Sequence, residues 1–337
     1  MGAGPLLEIE NLSTHYVSAR GTRVVRAVEG VSLSINARET LGIVGESGSG
    51  KSTLALSILR LLPPSAQIAN GRMRFEGEDL LQKSEAEMRR VRGRRIAMIL
   101  QDPMASLNPL FTVGDQVAEP IRVHEGANRL TAWRRALELL KAVRIASPAT
   151  RLRQFPHEMS GGMRQRIVGA IGISCEPRLL IADEPTTSLD LTIQAQYLRL
   201  LRELQQTHGL ALIFITHNLG IVAKMCDQLA VMYAGRVVEV GPVRQIFDAP
   251  AHPYTQALLN SIPRMSDSRR RLSAIDGQPP DLAMPTPGCA FAPRCSNVID
   301  RCRTAAPPEI SVGERVRVRC WLPVSHAAAD KLQSGAA

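Results

Sequence analysis

The sequence predicts an α/β domain on a largely parallel, buried sheet, preceded by a small antiparallel sheet and followed by a Cys/Pro-rich C-terminal extension. Two patterns predict the main domain. Apolar runs of four or five residues recur at 40–44, 96–100, 179–182, 211–215 and 228–232; runs that short, without polar alternation, read as strands buried on both faces. Helix-length segments such as 51–62 and 192–208 lie between them, as βαβ units require. A third observation sets off the extension: residues 250–337 hold 11 of the 22 prolines and four of the six cysteines. That shift places a boundary near Pro250, with a main domain over 1–250 and an extension over 251–337.

Taken in order, residues 7–35 alternate as β-strands do around turn residues Ala19, Arg20 and Gly21, so an antiparallel pair is expected there. Residues 41–44 read as a strand that feeds a glycine-rich loop, and the pattern from Leu54 onward reads as a helix. A second helical pattern, Ile167, Ala170, Ile171 and Ser174, follows Ser160. The sequence holds no internal repeat and no low-complexity tract.

Composition narrows the classes. With 45% hydrophobic residues in 337, wholesale disorder is excluded. The longest apolar stretch, 167–175, is half of a membrane span and contains glycines. The opening residues lack a basic region followed by an apolar core and a cleavage site, so no export signal is expected. A cytosolic, reducing setting follows, in which disulfides are not expected. The net charge of +10 admits nucleic acid, an anionic membrane surface or phosphate-bearing substrates, and charge alone does not choose among them.

Residues Gly45, Glu46, Ser47, Gly48, Ser49, Gly50, Lys51, Ser52 and Thr53 fit G-x-x-x-x-G-K-[ST] between an expected strand and an expected helix. Glycines let backbone N–H groups converge on phosphate oxygens, and the helix start adds partial positive charge. Lys51 would reach the β- and γ-phosphates, and the Ser52 hydroxyl would ligate Mg²⁺. Further on, Leu179, Leu180, Ile181 and Ala182 lead into Asp183 and Glu184. An apolar strand that ends in two carboxylates can deliver Asp183 to Mg²⁺ and Glu184 to the attacking water. Between these motifs Ser160 reads as an N-cap, and Gly161 and Gly162 expose N–H groups at a second helix start suited to an anion.

Ser160-Gly161-Gly162, set between a phosphate loop and an apolar strand ending in Asp-Glu, resembles the signature arrangement of the ATP-binding cassette (ABC) ATPases over residues 6–260. The resemblance implies a P-loop NTPase cassette: a RecA-like core with a mostly parallel sheet, an antiparallel β subdomain, and an α-helical signature subdomain at about 102–175. It also implies ATP and Mg²⁺ as cofactors. Gln101 matches the glutamine that touches Mg²⁺ and the attacking water, and His217 matches the histidine that contacts the γ-phosphate. Ser188-Leu189-Asp190 matches the loop in which Asp190 sits near the nucleotide, and Tyr16 lies where relatives place an aromatic ring against adenine. Two such domains face each other in the family, so that residues 160–162 close over the nucleotide of the partner.

Residues 101–109 (QDPMASLNP), 188–196 (SLDLTIQAQ) and 252–259 (HPYTQALL) are similar to the oligopeptide/dipeptide importer ATPases, the branch that includes nickel and glutathione importers. Met163 stands where the general signature has Gln, and Asn218 where Asp is frequent; neither removes a group needed for hydrolysis. The resemblance therefore implies a competent ATPase, with Glu184, His217 and Gln101 as catalytic residues. It would power peptide uptake as a peripheral subunit on the cytoplasmic face of the cell (inner) membrane. Implied partners are a second ABC ATPase subunit, as a paralogue in a heterodimer or a second copy, two integral-membrane permeases and an extracytoplasmic solute-binding protein. Import of nickel, glutathione or another small solute is the alternative, followed by a cassette ATPase acting on nucleic acid and by a binding module without hydrolysis. Nucleic acid is disfavoured by the single cassette, by the absence of a heptad insertion, and by a basic run at 89–95 that reads as a solvated face with no aromatic residue between Phe75 and Phe111.

Cys175 and Cys226 read as core residues. Cys289, Cys295, Cys302 and Cys320 instead lie in a proline-rich segment poor in apolar residues, which four thiolates could staple around a metal. Their spacing has neither the C-x2-C pairs of structural zinc nor the common ferredoxin patterns, so an iron–sulfur cluster, zinc and unligated thiols all stay open on the residues alone. The resemblance favours a [4Fe-4S] cluster, since the Pro-Gly-Cys start and four cysteines match an extension that carries one in some relatives.

Overall fold

The structure is a computed structural model of the 337-residue chain; it describes residues 4–19, 21–187, 189–262, 275–284, 286–313 and 315–322. The chain runs β1 (Leu7–Val17), β2 (Val24–Ile35), β3 (Thr40–Val44), α1 (Lys51–Leu59), β4 (Ala66–Phe75), β5 (Glu78–Asp79), α2 (Glu85–Val91), β6 (Ile96–Ile99), α3 (Pro103–Ser106), α4 (Val113–Glu125), α5 (Arg129–Ala142), α6 (Pro148–Arg151), α7 (Gly161–Ile173), β7 (Leu179–Asp183), α8 (Leu191–His208), β8 (Ala211–Ile215), α9 (Leu219–Met225), β9 (Gln228–Tyr233), β10 (Arg236–Pro242), α10 (Val243–Asp248), α11 (Pro253–Asn260), α12 (Asp300–Thr304), β11 (Glu309–Val312) and β12 (Val316–Arg319). All five apolar runs of the sequence are strands, namely β3, β6, β7, β8 and β9, and the two helix-length segments are α1 and α8. Contacts divide the α/β chain into two units.

The first unit comprises Met1–Leu7, Ile35–Thr40 and Arg74–Ile215. Here β6, β7 and β8 pair in parallel, with Ile96 opposite Leu179 and Leu179 opposite Ala211. Every residue of β7 and β8 is buried, which explains why these strands read as unbroken apolar runs. Helices α4, α5 and α7 pack together. Val113, Val117 and Ile121 of α4 and Ala132, Ala136 and Leu140 of α5 are fully buried, at the four-residue spacing of a core-facing helix stripe. Thr112 and Asn128 start these two helices by accepting the N–H groups of Asp115 and Thr131.

The second unit comprises Glu8–Ser34, Leu41–Met73 and Thr216–Ala337. Strands β2, β1 and β4 are neighbours in one sheet, and the segment 7–35 supplies two long strands, as its alternation predicts. In a second sheet β3 pairs with β9 in parallel, while β9–β10, β10–β12 and β12–β11 pair antiparallel. The sheet is thus mixed. Ala234 and Gly235 join β9 to β10 with φ of 48° and 79°, the doubly left-handed turn whose twist suits a tight hairpin. Strand β12 alternates buried Val316 and Val318 with half-buried Arg317 and Arg319, and Val318 lies opposite Glu239 of β10. The proline-rich segment therefore donates an edge hairpin to the sheet that carries β3. Beneath it, Val44, Val222, Val231, Tyr233, Tyr254 and Phe291 form one buried cluster. Among the described residues no helix is long and apolar enough to cross a membrane.

Candidate active site

The phosphate loop lies in the second unit. Strand β3 is buried throughout and ends at Val44; the loop then turns into α1, whose N-cap is Gly50 in the left-handed region at φ 98°. A Cβ on Gly50 would lie 2.1 Å from the Ala27 carbonyl oxygen, so both the dihedral and the space require glycine. Lys51, only 6% exposed, curls back under the loop: Nζ donates to Gly45 O at 2.8 Å, Glu46 O at 2.9 Å and Ser49 Oγ at 3.3 Å. These three bonds hold the ammonium directly beneath the loop that an anion would occupy. Ser47, Gly48 and Ser52 are exposed, Thr53 is half-buried, and no atom lies within 4 Å of where a Gly48 side chain would begin. An anion has room above a helix N-terminus here.

Other expected residues of this unit lie around the loop. The Tyr16 hydroxyl is 3.3 Å from Thr53 Oγ1, which sets the ring beside the first turn of α1. His217 is exposed just after the buried Thr216. Asn218, the departure from the frequent Asp, caps α9 by accepting the N–H groups of Gly220 at 2.9 Å and Ile221 at 3.3 Å, a task either side chain can do. Two residues that the sequence reading assigned no role also reach the loop: Tyr254 accepts the Glu46 N–H at 3.1 Å, and Arg294 pairs with the Glu46 carboxylate at 2.8 and 3.0 Å. Tyr254 falls within one of the importer-like motifs, whereas no sequence pattern marks Arg294.

The carboxylates lie in the first unit. Asp183 closes β7 and is 4% exposed; Glu184 follows it, half-buried. Glu184 has φ 45°, an uncommon conformation for a residue with a side chain and a strain of about 1–2 kcal/mol. Its N–H is tied to Ile215 O at 2.9 Å. Its Oε2 accepts the Thr187 hydroxyl at 2.9 Å and lies 3.5 Å from Gln101 Nε2, so two expected residues, Gln101 and Glu184, do meet. Ser160 caps α7 as its sequence position predicts, accepting the Met163 N–H at 3.3 Å. Gly161 faces open space, whereas a Cβ on Gly162 would lie 2.8 Å from Ile193 Cγ2 of α8. Asp190 caps α8 through the N–H groups of Thr192 and Ile193. Ser188 lies outside the described residues.

The oxygen-bearing side chains expected at Mg²⁺, those of Ser52, Gln101 and Asp183, suit a hard cation. The extension differs. Cys289, Cys295, Cys302 and Cys320 all line one small pocket with His252, Phe291 and Trp321, and the Cys289 N–H donates to Cys302 O at 2.8 Å. Burial pushes the Cys289 and Cys295 thiols up and Cys320 up to about 11. The donor set suits a four-thiolate site. Yet among the described residues no three or more His, Cys, Asp or Glu side chains are grouped to hold one metal ion. The arrangement does not support the [4Fe-4S] expectation. Cys175 is buried and Cys226 packs against the cluster around Val44, the core roles expected of both.

The ABC transporter family profile matches residues 28–187, and that of the oligopeptide/dipeptide transporter C-terminal region matches 238–302. The chain is 51% identical to the "Probable peptide ABC transporter ATP-binding protein y4tR" of Sinorhizobium fredii, covering 94% of both chains. It is 48% identical to the dipeptide transport ATP-binding protein DppD of Bacillus subtilis, covering 94% of both. For DppD of Escherichia coli the identity is 46%, covering 96% of this chain and 98% of that one. Among solved structures it resembles the ATP-binding cassette MJ0796 in a dimeric post-hydrolysis state with ADP and Pi, at TM-score 0.63 and 25% identity, over 71% of this chain and 99% of that one.

Proposed function

Because the chain belongs to the ABC transporter family, among the ATP-binding subunits of its peptide and dipeptide transporters, we propose that it hydrolyses ATP to power uptake of oligopeptides or dipeptides. One observation carries the reading at the level of chemistry: a buried strand delivers a glycine-rich loop to a helix start, with Lys51 beneath it donating to Gly45 O, Glu46 O and Ser49 Oγ. That is a site for a polyphosphate.

The residue roles belong to this proposal. Backbone N–H groups of 45–53 and Lys51 hold the phosphates, Tyr16 lies against the base, and Ser52, Gln101 and Asp183 hold Mg²⁺. When bound, Mg²⁺ neutralises charge that develops on the transferring phosphoryl group. Glu184, fixed through Thr187 and its strained backbone, accepts the proton of the attacking water. Gln101 orients that water and His217 contacts the γ-phosphate. Ser160, Gly161, Gly162 and Asp190 face the nucleotide of a second ATPase subunit, a paralogue or a second copy. The assembly includes two permeases and a solute-binding protein, and the chain is peripheral on the cytoplasmic face of the inner membrane. The main domain spans 1–250, with residues 251–337 as its extension.

A four-thiolate [4Fe-4S] site in the extension is kept as a separate part of the proposal because the four cysteines line one pocket, although among the described residues no three such side chains are grouped on one ion. Anaerobically purified chain should contain iron and acid-labile sulfide; neither element, with zinc present instead, would reassign it to zinc. For the function itself, the chain reconstituted with its permeases should hydrolyse ATP and accumulate labelled dipeptide together, both stimulated by the solute-binding protein. Hydrolysis that no short peptide stimulates would refute the cargo assignment.

A further inference from the structure

Arg294 closes a short helical turn, residues 292–294, between Cys289 and Cys295 of the extension, and its side chain is 5% exposed. A guanidinium carries five N–H donors, and here each has an acceptor. Nε donates to Asp276 O at 2.9 Å; Nη1 donates to Glu46 Oε2 at 2.8 Å and Tyr233 OH at 3.2 Å; Nη2 donates to Glu46 Oε1 at 3.0 Å and Ile275 O at 3.2 Å. The rings of Tyr233 and Phe291 flank it at 5.8 and 6.0 Å. Glu46 is the second residue of the phosphate loop. Its carboxylate is gripped by Arg294, its N–H by Tyr254, and its carbonyl accepts from Lys51 Nζ.

We propose that Arg294, assisted by Tyr254, is a positioning residue for the nucleotide: by fixing and neutralising Glu46 it holds the phosphate loop in its phosphate-receiving conformation. The inference rests on residues 45–53 being the ATP site. Two physical effects combine. A carboxylate at the second loop position would repel the phosphates, and the two parallel N–H···O bonds from Arg294 cancel that charge. The same bonds anchor one end of the loop, so its binding-competent state needs no ordering when the nucleotide arrives. Lysine cannot substitute, because a single ammonium has three donors and no planar fork.

The test compares Arg294→Lys and Tyr254→Phe with the unaltered full chain in the assembled transporter. Arg294→Lys should raise KM for ATP by about tenfold, and weaken equilibrium ATP binding alike, while kcat stays within about twofold, because bound nucleotide restores the loop. Tyr254→Phe should shift KM in the same direction by a smaller factor, and it decides the matter if Arg294→Lys lowers thermal stability too far to assay. Adding Glu46→Gln to Arg294→Lys should recover part of the lost KM by removing the unneutralised charge. Unchanged KM in both single variants, or loss confined to kcat, would overturn the inference. Lys51→Ala separates it from its premise: if that variant still binds ATP as the parent does, the ATP-site reading fails as well, whereas loss of binding there beside an unchanged KM in the other two refutes only the positioning role.

Discussion

The Thr187 hydroxyl donates to Glu184 Oε2 at 2.9 Å, across a turn in which the Glu184 backbone is left-handed. A strained backbone and a side-chain tether together hold one carboxylate oxygen in a single direction, while the Gln101 amide approaches the same oxygen at 3.5 Å. Strain kept at such a position fits a residue whose orientation is used in chemistry.

Glu184→Gln should therefore lower steady-state ATP hydrolysis by about 100-fold or more, the usual scale for loss of a general base, while ATP binding is retained. Hydrolysis rates and equilibrium nucleotide binding on the same preparation check it. A variant that hydrolyses as fast as the parent would remove Glu184 from the role of base.

Gly50→Ala forces a side chain into a left-handed conformation with its Cβ 2.1 Å from the Ala27 carbonyl oxygen. It should destabilise the folded chain by more than about 2 kcal/mol and abolish nucleotide binding. Thermal unfolding reads the first effect; a parental melting temperature would contradict the close approach.

Asp190 caps α8 with two accepted N–H bonds. Asp190→Ala should reduce stability by about 1 kcal/mol, and Asp190→Asn by only a few tenths, since either oxygen can accept those bonds. Denaturant midpoints distinguish the two, and equal losses would show that charge rather than capping is at stake.

His252 is 1% exposed, and burial holds its imidazole down to about 4 from an ordinary 6.5. Its Nδ1 accepts the Tyr254 N–H at 3.0 Å, so the folded ring is neutral. Between those two values the unfolded chain binds the extra proton, and stability should fall as pH drops through that window, by on the order of 3 kcal/mol in all. Urea midpoints measured from about pH 7 downward should fall less steeply for His252→Asn, which keeps a capping acceptor; parallel slopes would assign the acid sensitivity elsewhere.

Much of this was legible along the chain. Strands β7 and β8 read correctly because burial on both faces leaves only apolar residues to choose from. The phosphate loop and the Ser160 cap were legible because each is a local rule: a left-handed glycine, a hydroxyl that accepts the N–H three residues on. Strand β10 was not, since its hairpin turn at Ala234 and Gly235 carries a weak turn signal, and the tail hairpin alternates over only four residues.

What the sequence determined by itself is therefore the buried strands, the two long helices and the candidate reacting groups, because propensity, burial period and capping act over a few residues. Tertiary structure alone decided which distant side chains support them. Arg294 lies 248 positions from Glu46, and a guanidinium's choice of carboxylate depends on where the folded sheet and the aromatic cluster of Tyr233, Tyr254 and Phe291 put it. The same holds for the four cysteines: the sequence sets them in one proline-rich segment with a spacing that matches no common metal pattern, and only the fold brought all four to one pocket while leaving their sulfurs ungrouped around any single ion.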